Sequence, residues 1–199
     1  MTNKANRANT MKLVMIALLT AIVILLQLFL SAIRFGTFSI SVVLVPIVIG
    51  TILYGPLAGA WLGLVFGFAV LISGDASLFL GFSVAGTVIT VLGKGILAGL
   101  VSGIVYKAAS KWKKYPAVFL TAIVCPVVNT GVFLLGCMTF FYKYLPEIGL
   151  EQTTNPFIFV ITAVIGLNFL FEVGVNVLLA PAIIRITDLG RHALKNRAK

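Results

Sequence analysis

From Leu13 to Ile33 the chain runs without a charged side chain, and about 20 predominantly apolar residues are what one bilayer-spanning helix requires. Further apolar stretches follow, giving candidate spans at about 11–33, 38–54, 57–74, 84–107, 117–142 and 157–186. The 199 residues are 60% hydrophobic and only 10% charged, with a mean hydropathy of +1.14. Soluble domains carry about 25% charged residues, so this chain has too few to cover a water-facing surface. A soluble enzyme, a nucleic-acid-binding domain and a secreted disulfide scaffold are excluded. The expected fold class is an all-α integral membrane protein, a six-transmembrane-helix bundle.

The cations set its expected orientation. Three lie in the N-terminal tail through Lys12, four in the 107–116 loop (Lys107, Lys111, Lys113, Lys114) and five from Arg185 onward. In a six-span chain these regions share one side and hold 12 of the 15 Lys and Arg. The positive-inside rule then places both termini in the cytoplasm. An odd number of spans would separate the two basic tails. The net charge of +10 is explained by topology and anionic lipid, without a nucleic-acid partner. The domain plan is a basic cytoplasmic tail at 1–10, a membrane domain at 11–186 and a second basic tail at 187–199. Tyr54-Gly55-Pro56 forms a tight turn between spans two and three. The connection from Lys143 to Pro156 carries two acids and four Pro/Gly/Asn breakers, which marks it as the candidate flap.

Catalytic means are scarce. No Gly-x-x-x-x-Gly-Lys-Ser/Thr loop and no His-Glu-x-x-His motif occurs, and the one histidine, His192, sits in the basic tail. No enzyme activity, cofactor or metal is expected. Cys125 and Cys137 fall inside one apolar stretch and read as buried small hydrophobes. Aromatic residues such as Trp61 and the phenylalanines read as packing or lipid-facing.

Polar groups inside spans carry the functional signal. A charge near the middle of a spanning helix costs about 2.5–3.5 kcal/mol, so Lys94 in span four and Glu172 in span six need a partner, water or a ligand. Asn168, Glu172 and Asn176 recur every four residues and form one stripe. Asn129, just after the helix-interrupting Pro126, is a fourth buried polar group. Two readings stand side by side. Lys94 and Glu172, braced by asparagines, pin the packing of two helices; or the group lines a cavity for a polar solute, with Lys94 as counter-ion for a carboxylate and asparagines as amide donors and acceptors. Gln27, Arg34 and Asp75 lie near the outer span ends, where they either shape the mouth of the site or, as the preferred account of Arg34 and Asp75, serve as solvated loop charge. Gly95, Gly99 and Gly103 put a smooth groove on span four that permits close helix approach.

These pieces together resemble a known family. The basic tail, Ala17-x-x-x-Ala21, Tyr54-Gly55-Pro56 followed by Gly59-Ala60-Trp61-Leu62-Gly63-Leu64, and the polar face of span six look like the substrate-binding S component of an energy-coupling-factor (ECF) transporter. Gly86-Thr87-x-x-Thr90-Val91-Leu92-Gly93-Lys94-Gly95 and Asn168-x-x-x-Glu172-x-x-x-Asn176, followed by Ala180-Pro181, look most similar to pantothenate-type members. The resemblance implies a bacterial plasma-membrane subunit that captures a small vitamin from outside. Lys94, Asn129, Asn168, Glu172 and Asn176 then bind the vitamin. Partners supply the energy: two ABC-type ATPases, and a membrane coupling protein that meets the Ala17/Ala21 face. Alternatives are an S component for a pyrimidine precursor, riboflavin or folate, and a non-transporting membrane scaffold.

Overall fold

The computed structural model describes residues 2–32, 34–35, 38–39, 42–144 and 167–198, with side chains over 9–31, 42–144 and 169–190. Its elements are α1 (Thr2–Ala32), β1 (Arg34–Phe35), β2 (Phe38–Ser39), α2 (Leu44–Tyr54), α3 (Pro56–Ser73), α4 (Ser77–Phe82), α5 (Val84–Ala109), α6 (Lys114–Gly136) and α7 (Leu167–Ala198). A π-helical turn, Cys137–Phe141, prolongs α6. The candidate flap falls largely outside the described residues, as does the first part of the sixth expected span.

Among the described residues, five helical stretches are long and apolar enough to cross a membrane: Asn9–Ser31, Pro56–Ser73, Val84–Ala109, Lys114–Tyr144 and Phe169–Gly190. The expected second span, 38–54, is different. Its first residues pair antiparallel, Arg34 with Ser39 and Phe35 with Phe38, and the helix starts only at Leu44. Pro46 supplies one reason, because its ring would clash with the carbonyl four residues back in a longer helix. At ~1.5 Å per residue, α2 covers about half of a ~30 Å hydrocarbon layer. It is also the most enclosed helix of the bundle. Leu44, Ile47, Val48 and Ile52 are buried, as are Thr51 and Gly50, and α2 packs against α1, α3, α5, α6 and α7.

The tightest seam joins α3 and α5. Gly59 faces the Gly99 backbone, Gly63 faces Gly95, and Gly103 abuts Pro56 and Thr51. A Cβ at Gly63 or Gly95 would run into the other's carbonyl oxygen, so only glycine permits this approach. The expected groove of Gly95, Gly99 and Gly103 therefore meets a matching one on α3. Gly93, on another face of α5, meets open space. Gly55 and Gly74 hold positive φ, at 91° and 82°, where α2 turns into α3 and α3 ends.

α1 shows the opposite character to α2. Leu13, Val14, Leu18, Leu25, Leu28 and Phe29 are exposed along it, as suits a helix bathed in lipid. At one end of the bundle, Lys114 on α6 forms an ion pair with Asp188 on α7. Lys12 borders the α2–α3 turn there, and Gly103 brings the last turns of α5 to Pro56. Lys12, the loop after α5 and the Asp188 region of α7 thus gather at one end. Both cysteines are buried and free, in line with their reading as small hydrophobes.

Candidate binding site

Three of the expected residues converge on the seam between α6 and α7. Glu172 and Asn176 lie one turn apart on α7, and Asn129 faces them from α6. Asn129 Nδ2 donates to Glu172 Oε2 at 3.3 Å, and Asn176 Nδ2 donates to the Glu172 backbone carbonyl at 2.8 Å. All three are buried, at 3%, 4% and 0% exposure for Asn129, Glu172 and Asn176. Each amide keeps one atom without a partner among the described residues, Asn129 Oδ1 and Asn176 Oδ1. Asn168 lies on α7 two turns before Asn176, but its side chain is outside the described residues.

Lys94 enters from α5, ten residues after the helix begins. That puts it ~15 Å along the axis. Its ammonium lies 5.1 Å from the centroid of Phe133 and 5.6 Å from that of Phe66. A cation over an aromatic face gains about 0.5–2 kcal/mol, more where water is excluded. Glu172 and Asp75 are both within electrostatic reach of this ammonium, as is the Cys137 thiol. Asp75 Oδ2 accepts a hydrogen bond from Gln27 Nε2 at 2.6 Å, which ties the α3–α4 turn to α1.

Two sequence expectations change here. Asp75 is more than a solvated loop charge, because the buried Gln27 holds it and its charge is within electrostatic reach of Lys94. Phe66 and Phe133 are more than packing residues, since their rings flank a charge. A phenylalanine in an apolar run carries no mark of this, although Phe133 does lie one helical turn beyond Asn129. Phe79 meets Phe133 and Phe141 edge-on, so aromatic groups from α4, α6 and the π turn pack beside the lysine. Among the described residues, no group of three His, Cys, Asp or Glu side chains is placed to hold a metal ion.

A second surface lies at the basic end. Ala17 and Ala21 are exposed on α1. A groove of about 660 Å³ runs between α1 and the start of α3, lined by Ile16, Ala17, Thr20, Pro56, Leu57 and Trp61 among others. Trp61 Nε1 donates to Thr20 Oγ1 at 3.2 Å and fixes one wall.

An apolar-sided helical bundle that buries a carboxylate and two amides near a partly buried amine is an integral membrane protein with a polar interior site. The family model of the ECF transporter, substrate-specific component, matches residues 11–184, and the chain belongs to that family. It is therefore a transporter subunit rather than an enzyme, and it works with the other components of an ECF transporter on a small substrate. Comparison with curated proteins and with solved structures found no match.

Proposed function

We propose that this S component captures pantothenate from outside a bacterial cell and delivers it inward with ATP hydrolysed by two partner ATPases. The observation that carries this reading is Lys94, a cation deep in a spanning helix with two aromatic rings over its ammonium and the Glu172 and Asp75 charges within electrostatic reach. It is the natural counter-ion for the vitamin's carboxylate. Asn129, Asn168 and Asn176 take its amide and hydroxyls, and Glu172 accepts from a hydroxyl or holds Lys94 in place. A ring-shaped vitamin such as riboflavin or folate would want free aromatic faces, whereas Phe66 and Phe133 already attend the ammonium.

The proposed topology has six membrane segments, with α2 as the short second one and both termini in the cytoplasm. The clustering of basic segments at one end of the bundle supports it. The tails at 1–10 and 187–199 flank the membrane domain. Ala17 and Ala21, exposed beside the α1–α3 groove, form the contact with the coupling protein. Ala17→Trp should abolish co-purification with that protein while vitamin affinity stays unchanged.

The deciding experiment is calorimetry and mass spectrometry on the detergent-extracted chain. Pantothenate should co-purify, and Lys94→Met should weaken its binding by about 10- to 100-fold, the size expected for a lost charge-assisted hydrogen bond. At 100 times its dissociation constant, the vitamin should add about 2.7 kcal/mol to stability. A membrane scaffold would show no such gain. Unchanged affinity in Lys94→Met would refute the carboxylate assignment.

A further inference from the structure

The polar seam has a direction, and Glu172 sets it. An asparagine amide offers donors on nitrogen and an acceptor on oxygen, and its two ends are interchangeable until the surrounding bonds decide. Here both nitrogens are engaged by the same residue. Asn129 Nδ2 points at the Glu172 carboxylate and Asn176 Nδ2 at the Glu172 backbone carbonyl. Turning either amide over would place oxygen against an acceptor, so neither turns. What remains is Asn129 Oδ1 and Asn176 Oδ1, both buried, neither with a hydrogen-bond partner among the described residues. Buried acceptors are rarely left unpaired, and both of these belong to amides whose nitrogens are held by Glu172. Thr90 Oγ1, one turn before Lys94 on α5, is also buried without a partner, but a hydroxyl donates or accepts and so adds no direction.

We infer that the bound solute presents hydrogen-bond donors, hydroxyl or N–H groups, to Asn129 Oδ1 and Asn176 Oδ1, so that the α6–α7 seam selects its ligand by donor placement. The inference rests on the proposed solute-binding role and narrows it. An ammonium only donates, so the solute's acceptor-rich end turns toward Lys94 on α5. Its donor-bearing end turns toward α6 and α7. A solute with acceptors at both ends does not fit this arrangement, whatever its size or charge.

The test replaces one donor at a time on the ligand. Fluorine in place of a hydroxyl approximately keeps the size and removes the donor. The full chain in detergent should bind pantothenate at least ~30-fold more tightly than the analogue fluorinated at the critical hydroxyl. In Asn176→Leu, or Asn176→Ala if leucine does not fit that fully buried position, the two ligands should bind alike. Equal affinities in the unmodified protein would overturn the inference. Should mass spectrometry recover a different solute, the same capping is applied to it. Weakened binding then sustains the donor rule while the pantothenate assignment falls. Indifference to capping overturns the rule and leaves solute capture standing. A chain that binds no solute, with ordered water on both oxygens, overturns the two together.

Discussion

α5 meets its two neighbours by opposite means. Toward α3 it presents Gly95, Gly99 and Gly103, and the backbones come so close that a methyl group cannot enter. Toward α6 it presents Lys94, whose ammonium lies over the Phe133 ring. Helices in lipid gain little from hiding apolar surface, because the tails outside are as apolar as the side chains. Close van der Waals packing is then an inexpensive way to hold two helices, and the α3–α5 seam needs no polar atom for it. The seam that joins α6 and α7, by contrast, holds a carboxylate and two amides where polarity is costly. There the helices are joined by an interhelical hydrogen bond, Asn129 to Glu172, in place of glycine contact.

The largest effect should come from breaking the glycine seam. Gly63→Leu must push α3 and α5 apart, and the protein should fail to elute as a single species on size-exclusion chromatography. A monodisperse variant with unchanged thermal stability would show that the seam is slack. Next comes the polar seam. Glu172→Leu strands the Asn129 amide and removes a carboxylate within electrostatic reach of Lys94, which should cost about 1–3 kcal/mol of stability. Asn129→Leu in the same background should cost less than it does alone, since the two share one hydrogen bond; strict additivity of the melting data would disprove their coupling. The smallest effect belongs to Gly93→Ala. It adds a methyl into open space on α5 and should be neutral or stabilising by at most ~1 kcal/mol. A large loss there would mean that this face of the helix is also a contact surface.

Much of the site can be read from residue spacing. Glu172 and Asn176 stand four apart in an apolar run, and Asn129 follows a proline, so their polarity is conspicuous against the background. Lys94 is legible for the same reason. Phe66 and Phe133 are not, because an aromatic ring looks identical in sequence whether it faces lipid, core or a cation. Asp75 was hidden by its position in a turn, where carboxylates usually serve solvent. Its tie to Gln27 spans 48 residues and has no local signature. The shortness of α2 was partly foreseeable from Pro46, but the pairing of 34–35 with 38–39 was not, since a stretch of serines and β-branched residues suits helix or strand in a membrane.

By itself the sequence determined that this chain lives in a bilayer, that its long runs are helices, and which few residues are out of place among hydrocarbon. Those conclusions follow from transfer free energies, which each residue carries with it wherever it packs. Only the tertiary structure decided that α2 is enclosed while α1 is exposed, that α3 and α5 interlock through glycine, and that Glu172 engages the nitrogens of two amides. In lipid the inside and outside of a helical bundle are chemically alike, so the apolar pattern cannot tell a buried face from a bathed one. That distinction comes into being only when particular faces meet.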